Sequence, residues 1–435
     1  MNQLLFSKIL HTCLPVIYAA FFLSIFCGFR VMSSTCVGVI LGFTLLFAIL
    51  DKGFLFKNRK ANYFVIGCLI FYLLQLLALL YTHDISVGIV QIEVKITLLF
   101  IPVSLYYCNY LTEKFRNRVM PYYVLLIGLV MLFCFGEAIL RYRVSHDDSV
   151  FFYYSLVSPL GHHAIHFSIF AFVGFIYLME RLRKQSFIIN RSFHFFIIFY
   201  FIFFIILLDS KMVIIFSFIS ILIYAGLYIK NTGFFKGRLI LFSILCISIL
   251  AKIFITNNPV SKRFKDLSNG VNVIETNRFN PGDYFNGIQF RLLQWKLVKE
   301  ILSEHSAWIA GVSPGDAQHL LDNKYISLNM FVGDLGRNNH GYLHYNTHNE
   351  FLEAALQNGL IGLFVFLVIC AGLIRMMIIS HNIEFWLIGT LILSYCFLES
   401  VFQTQYGVLL FTFFPLFLYC CHTNDLSMES LDSDS

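Results

Sequence analysis

Apolar residues recur along this chain in runs of roughly 17–25, the length a helix needs to cross the ~30 Å hydrocarbon core of a bilayer. Twelve such runs fall near 10–29, 34–50, 62–82, 90–110, 119–140, 164–180, 193–209, 211–229, 237–255, 355–377, 384–402 and 405–421. Hydrophobic residues make up 58% of the 435 and charged residues only 13%, against about a quarter charged in soluble domains. That balance excludes an ordinary globular fold. The expected class is all-α, a polytopic membrane protein of about twelve transmembrane helices. The first run lacks a small-residue cleavage site and reads as a signal anchor, not a cleavable signal peptide.

Lysine and arginine assign the sides. One alternating set of short segments carries sixteen of them, clustered around 52–60, 114–118, 181–191 and 230–238, with Lys8 and Arg375 at its ends. The other set carries four: Arg30, Arg141, Arg143 and Lys211. The positive-inside rule therefore places both termini in the cytoplasm. The net charge of +6 belongs to cytoplasmic loops, so no nucleic-acid surface is expected. The division is residues 1–255 with nine helices, a loop domain at 256–350, helices ten to twelve at 351–421, and an acidic, unstructured tail at 422–435.

The segment 256–350 is the only long loop and lies outside, in the periplasm of a cell with two membranes. Its nine Lys/Arg are matched by nine Asp/Glu. Its helical pattern and aromatic residues indicate that it folds. Eleven cysteines lie within or beside apolar runs, none in this loop, and read as packing thiols without disulfide or metal roles. No internal repeat is evident.

Where the loop meets the tenth run, polar residues lead directly into apolar sequence: Thr347, His348, Asn349, Glu350, then Phe351 and Leu352. Thr347 and Glu350 have capping-box spacing, which starts a helix at His348. The free N–H groups of such a start attract an anion, and its dipole favours a neutral neighbouring imidazole, able to take a proton from a hydroxyl. The plainer alternative is a polar helix start anchored at the interface. Gly359 and Gly362 would admit a neighbouring helix closely.

The order His348-Asn349, Gly359, Gly362 resembles the signature of the superfamily of O-antigen ligases, Wzy-type O-antigen polymerases and bacterial protein O-oligosaccharyltransferases. Gly287 to Trp295, with Arg291, is similar to that family's Arg-x-x-x-Trp helix. Gly311 to Asp316, with Gly315, resembles the glycine-rich turn after it. Ile288, Leu292, Trp295, Val298 and Leu302 form an apolar stripe on that helix, placing it on the bundle or membrane surface. Relatives commonly carry Ser-Arg where this chain has Ser210-Lys211, which keeps the charge but loses the planar fork.

The resemblance implies a glycosyltransferase at the outer face of the bacterial inner membrane. It uses an undecaprenyl-pyrophosphate-linked glycan donor among membrane lipids. The acceptor is a lipid A–core oligosaccharide in a ligase, a lipid-linked glycan in a polymerase, or a protein. His348 is then the base, and Arg291, Lys211 and Asn349 bind the pyrophosphate. The reaction is inverting and metal-independent, with no cofactor. A lipid-linked glycan flippase is the alternative of another class, though it would favour repeat symmetry.

His162, His163 and His166 open the sixth run. His163 and His166 are expected to line the cleft; His162 and His166, four apart, do not by themselves make a metal site. Glu93 and Lys95 need distant partners or a wet cavity and are further cleft candidates. Glu137 and Arg141 are spaced to pair locally.

Overall fold

A computed structural model describes residues 12–50, 62–108, 110–232, 273–334 and 339–433. Its described residues form helices joined by short turns and one folded insertion. The helices are α1 (Leu14–Phe26), α2 (Arg30–Leu50), α3 (Tyr63–Ala78), α4 (Ile85–Lys95), α5 (Thr97–Tyr106), α6 (Glu113–Ser145), α7 (Tyr153–Val157) and α8 (Ala164–Arg183). They continue as α9 (Arg191–Leu207), α10 (Lys211–Thr232), α11 (Gly287–Glu304), α12 (Ala317–Ser327), α13 (Glu350–Ser380), α14 (Ile383–Cys396) and α15 (Gln405–Ser433).

Six segments are long and apolar enough to cross a membrane, and five shorter apolar helices accompany them. The expected ninth span, 237–255, lies outside the described residues. The run expected at 90–110 is two helices, α4 and α5, broken at Ile96. The last helix continues to Ser433, across the segment expected to be unstructured. All ten described cysteines are free thiols.

α8 and α15 hold the centre of the bundle, with 83% and 89% of their apolar windows buried. Helix α3 lies against α13. A Cβ on Gly372 would stand 2.3 Å from the Phe64 nitrogen, and one on Gly67 2.6 Å from Ile369. These two glycines, not Gly359 and Gly362, let the two helices touch.

Gly359 does something else. Asn358 and Gly359 leave helical geometry inside α13, Gly359 at φ +63°. The break frees backbone groups, and a turn of the insertion satisfies them. Val312 and Ser313 donate to the carbonyls of Leu356 and Gln357 at 2.8 and 3.0 Å, while Leu360 and Ile361 donate to Trp308 and Ile309 at 2.7 and 3.3 Å. Irregular backbone at membrane depth survives only when protein covers it in this way. Gly311, at φ +76°, lies against the Gln357–Asn358 peptide, so a side chain there would separate the turn from the break. Gly315 meets Asp84 in the same manner, and Asp316 accepts from the backbone of His83 and Asp84 at 3.0 and 3.1 Å. The insertion is thus pinned to the bundle at two points.

The insertion has its own core. Asn286 and Gln289 close a capping box at the start of α11. Phe290, Leu293, Leu297 and Ile301 face inward onto Leu321 and Tyr325 of α12 and Leu356 of α13. The apolar stripe expected on α11 therefore divides. Ile288, Leu292 and Trp295 are exposed by 52%, 41% and 54%, but Val298 and Leu302 are buried with the core.

Candidate active site

α10 and α11 begin beside the C-terminal end of α14, and a cavity of about 330 Å³ opens among them, with no residue of α13 in its lining. Asp209, Lys211, Arg291 and Glu399 line it, with Tyr153, Tyr284 and Tyr395. Arg291 stands one turn into α11, where one guanidinium nitrogen donates to the Gly287 carbonyl at 2.9 Å and another to the Leu398 carbonyl at 3.0 Å. Its Nε is buried without a protein acceptor among the described residues, and the side chain lines the cavity, so its charge is set beside any anion bound there. Burial lowers the Arg291 pKa while Glu399 opposes it; a guanidinium stays charged regardless. Lys211, the first residue of α10, lines the same cavity.

His348 joins this cavity through Glu399. Its Nδ1 lies 2.9 Å from the Glu399 carboxylate. Burial raises the Glu399 pKa, but the hydrogen bond and charge of His348, with His163 and Arg291 beyond, hold it below the usual carboxylate range. An ionised carboxylate on Nδ1 fixes the proton there and leaves Nε2 as the acceptor nitrogen. The backbone of His348 is left-handed, φ +47°, a conformation that costs a side-chain-bearing residue about 1–3 kcal/mol.

That strain is held by a buried clamp. Glu353, one turn into α13, accepts from Thr347 Oγ1 at 2.8 Å and Ser400 Oγ at 3.4 Å. Thr347 precedes His348, Ser400 follows Glu399, and their hydroxyls meet at 2.9 Å. One carboxylate therefore ties together the two turns that present the imidazole and its partner.

The helix start differs from expectation. Asn349, not Thr347, caps α13, accepting from Leu352 N–H at 3.1 Å and donating to Phe397 at 3.3 Å. Thr347 and Glu350 form no capping box: Glu350 accepts instead from Phe402 N–H at 2.8 Å. Glu350 and Glu353 already occupy the positive end of the helix. Asn349 has both ends of its amide engaged and does not line the cavity.

The remaining candidates divide. His163, before α8, hydrogen-bonds the Tyr154 hydroxyl, and burial lowers its pKa with Glu399 opposing. His166 follows, its ring 5.0 Å from His163 and its Nε2 3.4 Å from Thr404. Lys95 is buried behind the clamp, donating to Gln75 and Gln357 at 3.0 and 2.8 Å, and Gln357 in turn donates to Glu353 at 2.6 Å. Glu93 is exposed, and neither residue lines the cavity. Trp295 stands on the outer face of α11. Gly362 meets only its own helix, against Asn358 and Ala354. Among the described residues no group of three His, Cys, Asp or Glu is placed to hold a metal.

Sequence reasoning missed Glu399 and Glu353. Glu399 lies inside the apolar run at 384–402, and a carboxylate within such a run is itself a signal of function.

Residues 196–367 match the sequence model of the O-antigen ligase family. The matched stretch holds Lys211, Arg291 and His348, and ends before Glu399. No curated protein matches the chain.

Proposed function

We propose that this chain, which carries an O-antigen ligase domain, transfers a glycan from undecaprenyl pyrophosphate to an acceptor hydroxyl at the outer face of the inner membrane, with lipid A–core oligosaccharide as acceptor. The observation that carries the reading is one cavity lined by Arg291, Lys211 and Glu399, with Glu399 holding Nδ1 of His348.

In this mechanism Nε2 of His348 takes the proton of the acceptor hydroxyl as its oxygen attacks the anomeric carbon. The bond from that carbon to the pyrophosphate oxygen breaks, and its electron pair leaves with the lipid pyrophosphate. Arg291 and Lys211 stabilise that growing charge, a contribution worth several kcal/mol when the donors are fixed in advance. Glu399 stabilises the imidazolium and receives no proton. The exposed face of α11, with Ile288, Leu292 and Trp295, rests against the membrane and keeps Arg291 at headgroup depth.

The test is transfer by the purified protein in vesicles containing the lipid-linked donor and rough lipopolysaccharide. Formation of capped lipopolysaccharide with an inverted anomeric linkage, undiminished by a chelator, is expected. Retention of configuration contradicts the single displacement.

A further inference from the structure

Beside His348 lies a surface that the transfer mechanism has not used. Residues 339–346 lead into the histidine, and Tyr345 among them is 44% exposed. Its ring centroid stands 5.5 Å from that of His348 and 5.6 Å from Phe290, to which it is nearly perpendicular. The platform is built, not loose. The carbonyl of Tyr345 accepts from the Tyr325 hydroxyl at 2.8 Å and from Gln318 at 3.2 Å. Tyr325 is itself fully buried in the core of the insertion and accepts from Gln294 at 2.6 Å.

The residue before Tyr345 belongs to a polar pair. Asp322 accepts from the His344 backbone at 2.9 Å and lies 3.3 Å from His344 Nδ1, while the His344 side chain is 67% exposed. Gln318 donates to the same carboxylate at 2.9 Å. An exposed aromatic ring, on a segment that also carries a fixed imidazole–carboxylate pair, suits a pyranose, which has a C–H face and a rim of hydroxyls.

We propose that Tyr345, with the His344–Asp322 pair, forms the subsite for the terminal sugar of the acceptor, so that the acceptor is a saccharide and not a protein hydroxyl. The inference rests on His348 acting as the base. Because Glu399 holds Nδ1, the attacking hydroxyl must come to Nε2, and the sugar bearing it must lie beside the imidazole. A sugar in contact with the Tyr345 ring at about 4 Å spans the distance to His348. The donor pyrophosphate takes the other side, in the cavity of Arg291 and Lys211.

Binding is measured on the full-length protein carrying His348→Ala, so that no turnover intervenes. The probe is the core oligosaccharide freed from rough lipopolysaccharide. Adding Tyr345→Ala is expected to weaken that binding about ten-fold, a typical loss for one aromatic contact, while Tyr345→Phe preserves it. In the otherwise native enzyme, Tyr345→Ala is expected to raise the acceptor KM by a similar factor and leave the donor KM unchanged. Equal binding by the Ala and Phe variants overturns the subsite, as does a KM rise confined to the donor. Transfer that persists in His348→Ala defeats the base mechanism separately, because the binding comparison does not depend on turnover.

Discussion

A left-handed histidine between buried Thr347 and buried Asn349 has almost no freedom to wander, and its Nδ1 is already committed to Glu399. If that hydrogen bond sets the useful tautomer, Glu399→Gln lowers kcat by about a hundred-fold, within the range of general-base contributions. Substrate KM values stay nearly constant in the same assay. An unchanged kcat would remove Glu399 from the mechanism. His162, near the same end of the bundle, affords a stability measurement. It bonds the Ile25 carbonyl at 2.6 Å, and burial lowers its pKa from 6.5 to about 4. The unfolded chain takes up a proton as pH falls below 6.5, but the folded one resists until about 4, so stability declines through that window. Thermal unfolding of His162→Gln in detergent is expected to depend less on pH there. At this scale the sequence exposed the residue types but not their partners. His348 and Arg291 stand out by motif, whereas Glu399 is 51 residues from His348, and only folding brings the turns together.

Single helices also carry function through the way they are interrupted. The break in α13 is held by the turn from Trp308 to Ser313, and Gly311 and Gly359 make the approach possible. A Cβ on Gly359 would lie 2.2 Å from the Ile309 carbonyl, and the left-handed backbone adds about 1–3 kcal/mol of strain. Gly359→Ala should therefore lower the unfolding temperature and increase proteolysis of the insertion; a wild-type pattern would mean that the docking carries no weight. Glu353 acts on a finer scale. Glu353→Gln keeps the volume but turns one of two acceptor oxygens into a donor, so Thr347 and Ser400 on one side and Gln357 and Gln403 on the other cannot all be satisfied, and is expected to reduce kcat with little change in KM. The opposite split would assign Glu353 to substrate binding. Helix positions were readable from apolar periodicity, but faces were not always. Val298 and Leu302 share the period of Trp295 and yet face the core, because α12 and Leu356 lie over that end of α11. The cap of α13 was misplaced for a related reason: Thr347 has the spacing of a cap but bonds into the clamp instead.

For the molecule as a whole, the account needs the cavity on the extracytoplasmic side. The apolar runs located helices, and among the described residues six of them fall on segments long and apolar enough to cross a membrane while five fall on shorter apolar helices. The asymmetry of Lys and Arg between alternate loops places the insertion outside. A cysteine placed at Asn323, on the insertion, is expected to react with an impermeant maleimide added to intact spheroplasts; labelling only after lysis would reverse the orientation. The central claim is that the imidazole of residue 348 takes the acceptor proton. It is tested most directly by the single-turnover rate of glycan transfer by purified His348→Ala with donor and acceptor saturating. The account predicts a fall of roughly 10²–10⁴-fold with donor binding retained, and a rate within a few-fold of the native enzyme would contradict it.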